Sequence, residues 1–123
     1  MQKLVFHNAW DKTLSSKDRK RIEKEFEKTK NRHQDLEIII LWLAMNHKGE
    51  CLVTTLIHNR GNQSFPTDEI ELRLVDHQKV IAEHTFTIPF TLEPFTSMPW
   101  TFIFSENSLG ENSLENALIE WKT

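Results

Sequence analysis

The sequence predicts a mainly β protein, namely an immunoglobulin-like antiparallel β-sandwich with an N-terminal α-helix packed on the outside. Two observations lead to this fold class. Five or six short apolar or alternating segments are separated by turn residues. In addition, the run 97–104 presents Trp100, Phe102 and Phe104 on one face of a strand that Pro99 opens. A strand with three aligned aromatic rings buries that face, so it belongs to a sheet packed on an apolar layer.

The length and composition are those of one globular domain, residues 1–123. Of the 123 residues, 38% are hydrophobic and 27% are charged, which permits one core and argues against disorder. We divide this domain into an N-terminal segment with a helix, residues 1–33, and a β-sandwich, residues 34–123.

Charge is distributed unevenly along the chain. Residues 1–32 contain ten lysines and arginines and five acidic residues, whereas residues 33–123 contain five and thirteen. This asymmetry indicates either binding to an acidic partner or docking of the basic segment on its own acidic body. The basic residues are interleaved with acidic ones, which weakens the field that a phosphate backbone would meet. We therefore expect no binding to nucleic acid.

The N-terminal segment is predicted to contain one amphipathic helix. Ser15 is typical of a helix N-cap, because Asp18 follows three residues later in a capping-box arrangement. The helix is expected to run to about Asn31, with Ile22 and Phe26 as its thin apolar stripe. Such a polar helix packs along one narrow edge and leaves much of its surface in water.

The rest of the chain is predicted to supply strands at residues 36–45, 51–59, 69–75, 80–88 and 100–104. A loop that contains Gly49 joins the first two strands into a β-hairpin. In the third strand, Ile70, Leu72 and Leu74 alternate with charged residues and are expected to point inward. Residues 113–121 are either a short amphipathic helix, which is the simplest interpretation, or a closing strand.

The sequence predicts neither a membrane span nor a secretory signal. Its first residues lack an apolar stretch and a cleavage site, and the longest apolar run, 38–45, is too short to cross a bilayer. Cys51 is the only cysteine, so no internal disulfide forms, and a buried, inert thiol is expected. We therefore predict a cytoplasmic protein.

The histidines are the candidate metal ligands of this chain. They are His7, His33, His47, His58, His77 and His84. His47, Cys51 and His58 are the tightest combination, but their spacing does not match that of zinc ligands, and we predict no metal site. His84 lies on the apolar side of its predicted strand, where a hydrogen-bonded core or rim histidine is expected. A metal- or small-ligand-binding module that uses His47, His58 or His84 is the alternative function.

The sequence contains no catalytic motif. No serine lies in a G-x-S-x-G pattern, and the three glycines form no phosphate-binding loop. We therefore predict a non-enzymatic protein that needs no cofactor.

A protein–protein interaction module is the function class that remains. The candidate partner sites are the basic helix around Arg19, Lys20 and Lys24, and the loop that carries Phe90 and Phe95. Sandwich domains commonly bind partners through end loops or a free sheet edge. The aromatic rings could equally plug the open ends of the sandwich. A further alternative is an architectural homodimer that pairs through a free strand edge.

Five segments form a recognisable pattern when they are taken in order. They are 7–15 (HNAWDKTLS), the helix with Ile22 and Phe26, 52–59 (LVTTLIHN), 81–86 (IAEHTF) and 97–104 (SMPWTFIF). Together they resemble the SLAP domain found in accessory-Sec-system S-layer assembly proteins of Bacillus-type Gram-positive bacteria. The resemblance implies that the domain helps a SecA-type motor to export surface-layer proteins, with a surface-layer precursor or the motor as partner. It assigns no catalytic residue. We expect Trp10 to help dock the N-terminal segment on the sandwich, and Trp100 to fill the centre of the sandwich.

Overall fold

The structure, a computed structural model, describes residues 1–105 and 116–121. Within these ranges it contains two helices and seven strands. In chain order they are β1 (Lys3–Leu4), α1 (Asn8–Thr13), α2 (Ser16–Thr29), β2 (Leu36–Met45), β3 (Cys51–Asn59), β4 (Ile70–Asp76), β5 (Lys79–Phe86), β6 (Thr96–Phe104) and β7 (Leu118–Trp121). The predicted strands 36–45 and 51–59 coincide with β2 and β3, because turn residues bound each apolar run.

The strands form two sheets that pack face to face. One sheet has the order β1-β6-β3-β2 and the other has the order β5-β4-β7. All pairs are antiparallel except β1 with β6. The order β2-β3-β6 opposite β5-β4-β7 corresponds to strands A-B-E and C′-C-F of immunoglobulin-like sandwiches, with β1 in the place of strand D. The predicted mainly β sandwich is therefore confirmed.

The main core lies between the two sheets. Phe102 and Phe104 of β6 and Leu72 of β4 are among its largest fully buried side chains. The expectation that Trp100 fills the centre of the sandwich is wrong, because Trp100 is only half-buried at the margin of the core. There its ring packs edge-on against Phe90, with 5.2 Å between the ring centroids.

Helix α2 packs on the outer face of the first sheet, as the sequence predicts. Ser15 caps the helix, and its side-chain oxygen accepts a hydrogen bond from the backbone N–H of Asp18 at 3.1 Å. Ile22 and Phe26 form a second apolar cluster with Leu56 of β3, and all three side chains are buried. The helix therefore docks through its thin apolar stripe.

The lead-in before α2 contains two short elements that the sequence did not predict. β1 pairs with β6 at two positions, Lys3 with Thr96 and Leu4 with Ser97. Helix α1 follows, and its residue Trp10 packs against the second apolar cluster, as expected. The N-terminal segment is therefore tied to the first sheet by backbone pairing as well as by apolar contacts.

Two β-bulges interrupt the regular alternation of the strands. The register shifts place Leu41 as the extra residue of β2 and Ile81 as the extra residue of β5. As a result, Ile81 and its neighbour Ala82 are both buried. His84 is exposed although its spacing places it on the same side as Ala82, because β5 is an edge strand. His84 therefore does not lie in the core but at its rim, where its ring packs edge-on against Phe86 at 4.7 Å.

Pro99 lies inside β6, whereas the sequence predicts it at the start of the strand. The pairing of β1 ends opposite Ser97, so β6 has a strand partner on only one side at Pro99. A proline is tolerated at such a position because no second strand needs its missing N–H.

The last described residues form a strand. Leu118–Trp121 pairs with β4 as β7, so the helix interpretation is wrong for this part and the closing strand is correct. Residues 113–115 of that prediction lie outside the described residues. No helix in the described part of the chain has both the length and the apolar character needed to cross a membrane.

Candidate interaction surface

The outward side of helix α2 carries a row of lysines. The row, which we call the lysine ridge, consists of Lys17, Lys20, Lys24 and Lys28. Their spacing of three or four residues places them on one side of an α-helix. All four are exposed, whereas the apolar stripe of the helix faces the sheet. The ridge is therefore presented to solvent by the way in which the helix docks.

The ridge lysines have no carboxylate partner among the described residues. The ion pairs within these residues are Arg19–Asp11, Lys30–Glu27, Arg32–Glu37, Arg60–Glu37 and His77–Asp76. Like charges one helical turn apart repel each other, and Glu23 and Glu27, three residues after Lys20 and Lys24, offset only part of this repulsion, so binding of an opposite charge would stabilise the ridge. Within the described residues, these four lysines form no ion pair with the acidic body, which was one of the two interpretations of the sequence.

Arg19 and Arg21 contact the body of the protein instead. Arg19 Nη2 donates to Asp11 Oδ1 at 2.7 Å, and its guanidinium lies 4.4 Å from the centroid of the Phe6 ring. Arg21 Nη2 donates to the carbonyl oxygen of Leu41 at 3.2 Å. Of the predicted partner residues on this helix, Lys20 and Lys24 therefore belong to the ridge, while Arg19 helps to dock the helix.

The predicted aromatic site is divided between two environments. Phe90 is half-buried against the core and Trp100, so it plugs the margin of the sandwich. Phe95 is 39% exposed and adopts a φ of +54°. Its carbonyl oxygen accepts a hydrogen bond from the backbone N–H of Lys3 at 2.9 Å. Phe90 and Phe95 belong to the β5–β6 connection, whereas the ridge lies on α2.

A buried polar cluster lies beneath the helix. His58 Nδ1 is 2.5 Å from Ser97 Oγ, and His58 Nε2 is 2.8 Å from Thr29 Oγ1. All three residues are 0% exposed. Gln2 Nε2 also donates to Ser97 Oγ, at 2.9 Å. A serine beside an imidazole can act as a nucleophile with its base, but here no substrate can reach the pair. The cluster therefore joins α2, β3 and β6.

The pKa of His58 reflects this burial. Desolvation lowers the pKa from 6.5 to about 4, and the positive charge of Arg60 acts in the same direction. At neutral pH the imidazole is therefore uncharged, with one nitrogen as donor and the other as acceptor. The alternation of β3 assigns His58 to the same face as Leu56, which is the only sequence signal for this cluster.

Arg60 holds the C-terminal end of α2 in place. Its side chain is 6% exposed, and its Nη2 donates to the carbonyl oxygen of Thr29 and to Glu37 Oε1, each at 2.7 Å. Arg32 also pairs with Glu37, at 2.9 Å. Burial raises the pKa of Glu37, but the hydrogen bonds from Arg60 and Arg32 outweigh it and lower the pKa below 4.5. No local pattern in the sequence indicates this interaction.

The histidines of the alternative function are not brought together. His58 is buried in the polar cluster, whereas His47 in the β2–β3 turn and His84 on β5 are exposed. The part of the chain that the structure describes contains no group of three or more histidine, cysteine or acidic side chains placed to hold a metal. Cys51 is 0% exposed, and burial raises the pKa of its thiol.

Comparison with known proteins gives one family match. The model of the family described as the SLAP domain matches residues 4–123. No curated protein and no solved structure matches the chain. The matched range includes both helices, both sheets and the lysine ridge.

Proposed function

The chain belongs to the SLAP domain family, and on this premise we propose that it is a non-enzymatic protein-binding module in the export or assembly of surface-layer proteins. The resemblance of its motifs to accessory-Sec S-layer assembly proteins supports this role. In this role the domain works on the cytoplasmic side, where a SecA-type motor receives its cargo. Its partner is a surface-layer precursor or the motor itself.

The observation that carries the proposal is the lysine ridge on α2. Four exposed lysines face solvent without a carboxylate partner among the described residues, on a helix that apolar contacts hold to the sheet. The partner that fits this surface is an acidic segment of protein. Each exposed ion pair contributes roughly 0.2–1 kcal/mol, so several pairs together provide modest, salt-dependent affinity. Such affinity suits a factor that must release its cargo.

The buried Ser97–His58 pair supports a non-enzymatic role. It is the nearest approach to a nucleophile and its base that we find in the described residues, and neither residue has accessible surface. Cys51 is likewise enclosed in the core. Cys51 packs in the main core between the sheets, and Ser97 and His58 form hydrogen bonds beneath α2.

Affinity capture from a lysate of the native host tests the proposal. The bait is compared with a Lys20→Glu/Lys24→Glu variant and with a Lys48→Glu/Lys79→Glu variant, which makes the same charge change at exposed positions away from α2. We expect a surface-layer precursor or a SecA-type motor on the wild-type and the control baits at low salt. Recovery on the ridge variant should fall about tenfold.

Two results would contradict this proposal. Equal recovery on all three baits would exclude the ridge as the binding surface. Recovery of neither a surface-layer precursor nor a SecA-type motor on the wild-type bait, at any salt concentration, would exclude the role in export. Circular dichroism of the three proteins, with equal helix content expected, controls for misfolding.

A further inference from the structure

The two sheets have four edges in the described part of the chain, and three of these carry features that hinder pairing with another chain. On the β6 side of the first sheet, β1 covers Thr96 and Ser97, and Pro99 follows. β2 and β5 each contain a bulge, at Leu41 and Ile81. Prolines, bulges and short covering strands are the usual means by which proteins protect an edge.

β7 is the edge without such a feature among the described residues. It pairs with β4 in regular register, from Trp121 opposite Leu72 to Leu118 opposite Val75. In an immunoglobulin-like sandwich the equivalent strand F lies between strands C and G. Here the backbone groups that point away from β4 have no strand partner in the described part of the chain.

The side of the sandwich next to β7 is lined with apolar side chains. β7 approaches β2, the edge strand of the other sheet, on this side. Half-buried apolar residues that pack against the main core here are Leu36, Ile40 and Leu43 of β2, Ala117 and Trp121 at β7, and Phe65. The Trp121 ring packs edge-on against Phe65 at 5.3 Å, and its indole Nε1 is buried with no hydrogen-bond acceptor among the described residues. A chain beside β7 would cover this margin.

The solvent side of the same edge carries three exposed carboxylates and one arginine, Arg73 of β4, which lies opposite Glu120 in the β4–β7 register. Glu120 of β7 is exposed, and so are Glu69 and Glu71, which line a groove with Trp121. None of the three carboxylates forms an ion pair within the described residues. A second copy of the chain would bring its own Glu120 and net negative body to this edge, which disfavours self-pairing. Lysine or arginine side chains are favoured there.

We propose that β7 binds an extended segment of another protein as an additional strand, and that this segment alternates apolar residues with lysine or arginine. Main-chain hydrogen bonds to β7 provide the affinity, as in other cases of strand addition. Because side chains alternate between the two faces of a strand, the apolar residues cover Trp121 and Phe65 while the basic residues face Glu120. This edge and the lysine ridge therefore select partner segments of opposite charge.

A blocked six-residue peptide of alternating valine and lysine tests the proposal. Titration into the isotope-labelled protein is expected to give saturable amide shifts at Leu118–Trp121, together with slower amide hydrogen exchange in that strand. The same peptide with glutamate in place of lysine should bind about tenfold more weakly. A peptide with proline at its central valine should not bind, because it lacks the N–H needed for pairing.

Charge variants test the acidic side of the edge. Glu120→Lys should weaken binding of the lysine peptide about fivefold, whereas Glu23→Lys, the matched change at an exposed position on α2, should leave it unchanged.

Several outcomes would overturn the proposal. The first is that the β7 amides that point away from β4 are already protected in the free protein, which would show that its own chain or a second copy covers the edge. The others are peptide shifts on β2 or β5 in place of β7, and equal binding of the proline peptide. None of these outcomes affects the capture experiment on the lysine ridge, so the two proposals can fail separately.

Discussion

Lowering the pH from 7 to 5 is expected to destabilise the folded protein through His58. The imidazole is fully buried, and desolvation lowers its pKa from 6.5 to about 4, with the charge of Arg60 acting in the same direction. Between these pH values the unfolded chain binds a proton that the folded protein does not bind. The contribution of His58 to stability is therefore complete above pH 6.5 and is lost as the pH falls toward 4.

The size of the loss follows from the two pKa values. Their difference corresponds to about 3 kcal/mol of unfolding free energy once the pH has fallen to 4. Between pH 7 and pH 5 the expected loss is about 2 kcal/mol. Glu37 affects stability at lower pH than His58 does. Its carboxylate has a pKa below 4.5, and its stabilising effect is lost only when the falling pH protonates it.

Urea unfolding at pH 7, 6 and 5, followed by tryptophan fluorescence, measures this loss. His58→Gln removes the titrating ring. Between pH 7 and pH 5 the unfolding free energy of the variant should therefore fall by about 2 kcal/mol less than that of the wild-type protein. NMR titration of the His58 ring in the wild-type protein provides a second measurement that does not depend on the variant. A pKa near 6.5, or the same pH dependence in both proteins, would refute the reasoning.

Two further predictions concern stability at neutral pH, measured by urea unfolding. Arg60→Ala should cost about 3 kcal/mol, because it leaves the Glu37 carboxylate and the C-terminal end of α2 without their buried donor. Arg32→Ala should lower the unfolding free energy by less than about 1 kcal/mol, because the Arg32 side chain is more exposed. Equal losses for Arg60→Ala and Arg32→Ala would contradict the assignment of Arg60 as the residue that holds the end of α2. Phe102→Ala should cost about 4 kcal/mol because Phe102 lies in the centre of the core. Trp100→Ala should cost clearly less, and a larger loss for Trp100 would show that Trp100 is the central residue.

The elements that could be predicted from the sequence are those that local patterns specify. Ser15 begins a helix because its hydroxyl accepts the backbone N–H of Asp18 three residues later, which is a purely local interaction. The bounds of β2 and β3 follow from apolar runs between turn residues, and Gly49 adopts a positive φ of 81° in the turn between them. The closing strand β7 was ambiguous, since a four-residue segment fits either period.

The lysine ridge was predicted in part. Lys20 and Lys24 were identified from charge alone, and helical spacing adds Lys17 and Lys28. The different position of Arg19 could not be predicted, because its partner Asp11 belongs to a second helix, α1, whose position depends on the packing of the lead-in.

The sequence by itself determined the helix α2 and the strands from β2 to β6, which side of α2 is apolar, and that this helix carries excess positive charge, but not β1, α1 or β7. Only the tertiary structure decided which edges are closed and which polar groups meet. His58 contacts residues 29 positions before it and 39 positions after it, and Pro99 is tolerated because β1 ends before reaching it. The physical reason is the sequence separation over which each kind of interaction acts. Periodicity and capping act within one or two turns of chain, whereas register, bulges and the free edge of β7 depend on strands that are distant in sequence.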